Sequence, residues 1–278
     1  MTTHIDTNTF YHHKNNNEKK YYLNIKSETQ LNEENSVDIE VNQNIFKIIH
    51  ILKEVHESDS IILFSNVKAH AFTGLSGALM NLGIGCASRE GKIEEHKIIQ
   101  PIISKVRCLT CKDCIKACPE NAIKLENLVT IDYNICTGCN YCVEVCRPNA
   151  INLKQFKSKE FIQGIIEYAY GSTINKDKNI YVNFLINITP YYNFKFIDNE
   201  NIVDDIGILI SDNPVAIDKA SYDLINKQKG YEDSSLRTNH EINEDKFKGI
   251  WRLVDSQVQF DYAEELGLGN QVYELIEI

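Results

Sequence analysis

Apolar and polar positions fall into short blocks that alternate between the strand and helix periods. Asp59–Ser65 (Asp-Ser-Ile-Ile-Leu-Phe-Ser) has the continuous apolar middle of a buried strand. Ile45–Val55 carries apolar residues at mixed period, which leaves strand and helix both open. Farther on, Glu160–Tyr170 keeps helical spacing and runs up to Gly171, a fitting C-cap. Ile180–Ile186 and Ile206–Ile210 read as strands. Ser211-Asp212-Asn213-Pro214 has the capping residue and first-turn proline that open a helix, here through about Lys227, with Val215, Ile217, Ala220 and Leu224 turned inward. A last helix is predicted around Ser256–Leu266, stopping at Gly267, before a closing strand at Tyr273–Ile278. His12–Lys20 and the region around Gln30–Asn44 are polar and Asn-rich, and read as loop or surface. Strands alternating with helices predict an α/β fold, a mixed sheet with flanking helices.

With 278 residues, 43% of them hydrophobic and 24% charged, the chain is long enough for a substantial core and unlike a disordered or fibrous sequence. No apolar run approaches the roughly 20 residues of a membrane helix, and Met-Thr-Thr-His-Ile-Asp lacks a signal pattern. A net charge of −10 argues against general phosphate-backbone binding. The expectation is a cytoplasmic protein, with no nucleic-acid partner and no membrane insertion.

Nine cysteines change that plain picture, because eight of them fall within Cys108–Cys146. They form two copies of one pattern: Cys108-x2-Cys111-x2-Cys114-x3-Cys118-Pro119, then Cys136-x2-Cys139-x2-Cys142-x3-Cys146-Arg147-Pro148. The offset is 28 residues, and Cys-Pro-Glu-Asn-Ala-Ile-Lys-Leu at 118–125 repeats as Cys-Arg-Pro-Asn-Ala-Ile-Asn-Leu at 146–153. Three cysteines spaced by two residues wrap one iron–sulfur core, while the fourth ligates the other cluster of the pair. The spacing therefore assigns Cys108, Cys111, Cys114 and Cys146 to one [4Fe–4S] cluster, and Cys136, Cys139, Cys142 and Cys118 to the second. Zinc is the competing reading, but zinc sites usually set two Cys-x2-Cys pairs apart by a spacer. Residues 101–157 thus resemble a bacterial two-cluster ferredoxin module, α+β in type, inserted between the first half of an α/β domain (1–100) and its second half (158–278). Eight basic side chains against five acidic ones in the module fit a fixed relay better than a diffusing acidic carrier.

A second constellation precedes the module. From Lys68-Ala-His70 through Thr73-Gly74, Gly77, Gly83-Ile-Gly85-Cys86, Ser88-Arg89 and Gly91-Lys92, the glycines allow close backbone approach and leave amides suited to an anion. Phosphate-loop and dinucleotide fingerprints both fail: Cys86 stands where the former needs glycine, and Ser88 where the latter does. The candidate catalytic residues are Lys68, His70, Cys86, Arg89, Lys92 and His96. Three have a plainer reading: Cys86 as a small buried cysteine, His70 as a hydrogen-bonded structural histidine, and His96 as part of a solvated charged stretch, Glu94-Glu95-His96-Lys97. Asp6 and Asp218 are carboxylates for a site or for capping, and His12 and His13 sit in low-complexity sequence.

These segments, with Asp6-Thr-Asn-Thr, Asn183-Phe-Leu-Ile-Asn-Ile-Thr-Pro190, Asp205-Ile-Gly-Ile-Leu, Asp212-Asn-Pro-Val-Ala-Ile-Asp218 and Tyr262-Ala-Glu-Glu-Leu-Gly-Leu-Gly269, resemble domain-of-unknown-function family 362 of anaerobic bacteria and archaea. The resemblance implies an α/β iron–sulfur protein with two [4Fe–4S] clusters and no established reaction. Relatives usually carry a further α/β stretch first, so this chain resembles an N-terminally short member. Where the family commonly shows Cys-Asp-Cys after Pro190, this chain has Tyr192-Asn193-Phe194. The leading expectation is electron transfer with a redox partner protein. The alternatives are an oxidoreductase acting on a small anionic substrate near His70 and Cys86, and a structural or redox-sensing cluster protein.

Overall fold

The computed structural model describes residues 35–190 and 200–277. Strands β1 (Ser36–Glu40) and β2 (Ile48–Leu52) pair antiparallel, and β2 runs directly into a short helix α1 (Lys53–His56). The mixed-period stretch at 45–55 is thus both strand and helix, and β1 falls inside a region expected to be loop. β1 alternates exposed with half-buried side chains, a pattern that polar composition concealed.

β3 (Ile62–Asn66) leads to the hairpin β4 (Lys68–His70) and β5 (Gly74–Ser76). The glycine-rich segment then forms α2 (Ala78–Met80), a π-helical stretch Asn81–Gly85, and α3 (Arg89–Lys97). Small elements carry the cysteines: β6 (Ile102–Ile103), α4 (Asp113–Ala117), β7 (Ile123–Leu125), β8 (Val129–Ile131), α5 (Tyr141–Glu144) and β9 (Ile151–Asn152). Beyond them come α6 (Ser158–Thr173), β10 (Ile180–Leu185), β11 (Gly207–Ser211), α7 (Pro214–Asn226), α8 (Lys246–Ile250) and α9 (Gln257–Glu265).

The central sheet has the order β11-β10-β3: β10 lies parallel to β3, with Tyr181 opposite Leu63, and antiparallel to β11. Two strands more than a hundred residues apart in the chain therefore form one sheet across the cysteine-bearing region. The parallel pair, joined by a long connection with helices, gives the α/β class. The sheet's inner face packs Leu63, Tyr181 and Leu209 against Ala78, Leu82 and Ile217, with Cys86 in the same cluster. Its other face leaves Ile62, Phe64, Ile180, Ile208 and Ile210 exposed.

α7 begins as its sequence dictates: Pro214 fills the first turn, and the Asn213 side chain accepts from the Val215 and Ala216 amides at 3.0 Å. Two expectations fail. α6 does not stop at Gly171 but continues to Thr173, because Gly171 is a packing position: an added Cβ would lie 2.1 Å from Ile49 Cδ1. The closing segment 271–277 forms no strand; it hangs from side-chain bonds such as the Tyr273 hydroxyl to Asp223.

Asp218 holds these parts together. Fully buried on α7, its carboxylate accepts from the Ala78 and Leu79 amides at 2.8 Å each and from Asn183 Nδ2 of β10 at 2.7 Å. Replacing it by alanine orphans two buried amides, at about 1–3 kcal/mol apiece, while Asn183 keeps its bond to Ser221 Oγ at 3.0 Å. Asp218→Ala is therefore expected to lower unfolding free energy by about 2–6 kcal/mol in urea titration. Asp218→Asn, which keeps one carbonyl acceptor, should cost less.

Candidate functional site

The eight clustered cysteines sit in a unit whose backbone repeats itself. Ile123 pairs with Ile131 in β7–β8, and 28 residues away in each direction Ile151 pairs with Ile103 in β9–β6. The copies therefore do not fold separately: β6, which precedes the first copy, pairs with β9, which ends the second. Hydrogen bonds repeat with the same offset. Ser104 N donates to Ala150 O at 2.7 Å and Asp132 N to Ala122 O at 2.8 Å; Cys108 N to Ser104 O at 3.1 Å and Cys136 N to Asp132 O at 3.0 Å. Left-handed residues recur as Thr110 and Gly138, Lys112 and Asn140, Asn121 and Asn149.

This crossed pairing fixes which thiols meet. Burial raises the Cys114 thiol above its usual range, and the charges of Cys108, Cys111 and Cys146 raise it further. Cys142 is pushed up to about 12, by burial first and then by Cys136, Cys139, Cys118 and Cys114. Cys136 is raised by burial and by Cys139 and Cys118, against a backbone hydrogen bond that lowers it. Cys146 is thus among the charges that act on Cys114, and Cys118 among those that act on Cys136 and Cys142. A cavity is lined by Cys118, Cys136, Cys139 and Cys142, with Ala122, Ile123 and Ile131 supplying apolar wall. The crossing sulfurs are bonded alike: Ala122 N donates to Cys118 Sγ at 3.3 Å and Ala150 N to Cys146 Sγ at 3.2 Å. Cys114, Cys142, Cys146, Ile123, Val129, Ala150 and Ile151 form a core of their own. Among the described residues, no three His, Cys, Asp or Glu side chains already close around a single ion.

The unit is docked through its second loop. Gly138, at φ +74°, lies under α3: a Cβ there would be 2.7 Å from His96 O and 2.9 Å from His96 Cβ. Just beyond the helix, Gln100 Nε2 donates to Tyr133 O at 3.0 Å and Cys136 O at 2.8 Å. Sequence reasoning missed both residues. The signal was there in Gly138, since the equivalent of Gly138 in the first copy is Thr110, so only one loop dispenses with a side chain.

The glycine-rich candidates separate. Two amides of the stretch, those of Ala78 and Leu79, are taken by the chain's own Asp218. Its carboxyl is pushed up to about 6 by burial, against the hydrogen bonds that draw it down. Gly83 serves close packing, 2.4 Å from the Ile165 carbonyl for an added Cβ. Cys86 is buried beside Ala78 and Leu82, and its electrostatic neighbours are Lys176 and Tyr181, whereas His70's is His96. Lys68 does not pair with His70; its ammonium donates to Asn187 O at 3.0 Å and Thr189 Oγ1 at 3.3 Å. Arg89 opens α3, and Lys92 lies one turn on, its carbonyl accepting from His96 Nδ1 at 2.6 Å.

His70 and His96 do come together. His70 Nδ1 accepts from the Phe72 and Thr73 amides at 3.3 Å, so its neutral form carries the proton on Nε2. Burial and then His96 hold His70 down to about 4. Phe161 lies edge-on to Phe72 at 5.5 Å and to His96 at 5.7 Å. The solvated stretch expected at Glu94–Lys97 is corrected here: Glu95 is fully buried and neither carboxyl oxygen has a hydrogen-bond partner, because α3 turns that side onto α6. Asp6, His12, His13 and Tyr192-Asn193-Phe194 lie outside the described residues.

The fold and site define an α/β protein with an internally duplicated eight-cysteine unit set between the two strands of its parallel pair. The chain belongs to the family described as Domain of unknown function (DUF362), whose model matches residues 5–223. No curated protein and no solved structure matches it.

His70 makes stability pH-dependent. A histidine held neutral below its unfolded value of 6.5 takes up its proton only on unfolding, so stability is lost as pH falls from 6.5 towards 4. One proton is worth up to about 1.4 kcal/mol per pH unit. Asp218, raised towards 6, works in the opposite sense between 3.8 and 6. The measurement is therefore a comparison: urea stability of His70→Asn should fall less than wild type between pH 6.5 and 4, and parallel curves would refute the assignment.

Proposed function

We propose that the chain binds two [4Fe–4S] clusters in residues 101–157, read as a two-cluster ferredoxin-type module, and that it transfers electrons in the reducing cytoplasm. The observation that carries this reading is the crossed proximity of the thiols. Cys146 neighbours Cys114, and Cys118 joins Cys136, Cys139 and Cys142 around one cavity. That is the pairing which two interleaved cubanes require, and a linear zinc site does not. The residues suit the group in other respects. Buried thiols clustered in apolar surroundings resist ionisation, and a bound cationic core is what offsets thiolate repulsion. Amide bonds to the crossing sulfurs stabilise negative sulfur, which is how proteins tune such centres. When bound, the clusters supply one-electron transfer. This chain's residues hold them, exclude water from the second site, and fix it against α3 through Gly138 and Gln100. Among the described residues no helix is long and apolar enough to cross a membrane, and all nine cysteines are free thiols.

For the anionic-substrate alternative, two amides of the glycine-rich stretch, those of Ala78 and Leu79, are taken by Asp218. A fixed relay remains better supported than an enzyme site at Cys86, which lies in an apolar cluster.

Anaerobically purified protein is expected to hold about eight irons and eight sulfides, with a signal in electron paramagnetic resonance after reduction. Zinc in their place would refute the proposal. Cys146→Ala should disturb the cluster of the first loop, and Cys118→Ala that of the second. A loss confined to the mutated copy's own loop would overturn the crossed assignment.

Replacing Gly138 tests the docking of the second loop. Gly138→Val puts a branched side chain at φ +74° against the His96 backbone, so it should loosen the second loop and cost about 3 kcal/mol or more. Thr110→Val, at the equivalent open position, should be near neutral in the same thermal melt.

A further inference from the structure

The two copies share a backbone but not a surroundings. The second loop is covered: Gly138 is buried under His96, and Cys139 is half-buried. The first loop stands open. Cys111 is exposed, and beside it Val106 and Leu109 are 97% and 73% exposed, an unusual position for large aliphatic side chains. Lys105, Arg107 and Lys112 are exposed around them. Arg147, next to the crossing Cys146, is brought to the same rim, its Nε 3.8 Å from Asp113 Oδ2 and its side chain 89% exposed.

None of this belongs to the repeat. At the 28-residue offset, Lys105, Arg107 and Lys112 become Tyr133, Ile135 and Asn140, and Val106 and Leu109 become Asn134 and Thr137. The basic rim is thus confined to the first copy, and its apolar centre is the more exposed: Tyr133 and Ile135 of the second copy are 44% and 42% exposed. They also run against the chain's net charge of −10. A like-charged neighbour is repelled by the molecule as a whole, so a partner must be guided by local charge, and an apolar centre within a charged rim is the anatomy of a transient docking patch.

We propose that the Cys108–Cys114 loop is the docking port for an acidic one-electron carrier protein. Lys105, Arg107, Lys112 and Arg147 orient its acidic rim, and Val106 and Leu109 pack against its centre. This rests on the cluster-binding reading and adds to it a partner class and a point of entry. With an acidic flavodoxin as donor, the anionic flavin hydroquinone loses one electron to the first-loop centre and becomes the neutral semiquinone, with no proton exchanged. The second loop instead carries Gly138 against His96 of α3.

The test uses the full-length, iron-loaded protein with a strongly acidic flavodoxin as probe. Iron and sulfide are assayed on each sample, and the oxidised pair is titrated calorimetrically at about 20 and about 200 mM salt. Binding should weaken several-fold at the higher salt. Lys105→Glu/Arg107→Glu should weaken it about tenfold or more at low salt, and Val106→Ser/Leu109→Ser should also weaken it, with iron content unchanged. Ile135→Ser, on the second loop, should leave it unaltered. Stopped-flow appearance of the semiquinone should slow in the same order. Iron-loaded protein whose affinity ignores both salt and charge reversal, or which binds a basic carrier more tightly, overturns the docking port alone. Wild-type protein without iron overturns the cluster reading, and the port with it.

Discussion

The carboxylate of Asp218 is the constraint on which the α/β body depends. It is fully buried and receives two amides from the start of α2 and one side-chain amide from the central strand. Three segments far apart in the chain thereby meet at one group. An uncompensated carboxylate in that position would be expensive, and its three donors compensate it. Gly77 explains why the approach is possible, since a Cβ there would lie 2.3 Å from Asp218 Oδ1. Glu167 repeats the device on α6, accepting from the Ile45 and Phe46 amides and from the Tyr262 hydroxyl at 2.7–2.8 Å. Both buried acids thus gather backbone amides from distant segments, Asp218 those of the glycine-rich stretch.

The cysteine unit obeys a different constraint. Each of its two strand pairs takes one strand from either copy: β7–β8 joins their adjacent ends, and β6–β9 joins the start of the first to the end of the second. Its core is largely sulfur and isoleucine. Symmetry of the backbone combined with asymmetry of the surroundings gives the molecule a covered and an open side. Gly138 against His96 sets the first, and the basic rim sets the second.

Much of the fold was legible locally. The capping Asn213 before Pro214, the strand at Ile180 and the stop at Gly267, with φ +79°, follow from residue chemistry that acts within a few positions. Errors came where a distant neighbour decides. Gly171 looks like a helix end but is a contact with Ile49, and Glu94–Lys97 looks solvated but turns Glu95 inward. The segment after Gly269 carries strand-forming residues, yet no described strand pairs with it, and propensity without a partner does not make a strand.

By itself the sequence determined the duplication, the eight-plus-one division of the cysteines and the alternation of strands with helices. Those depend on spacing and period, which the chain carries along its length. Only the tertiary structure decided that Asp218 takes two amides of the glycine-rich stretch, that Cys86 packs with apolar residues while His70 has His96 as its charge neighbour, and that Gly138 of the second cysteine loop is buried while Cys111 of the first is exposed. Each of those outcomes turns on a contact between segments dozens of residues apart, and burial, unlike spacing, has no local signature.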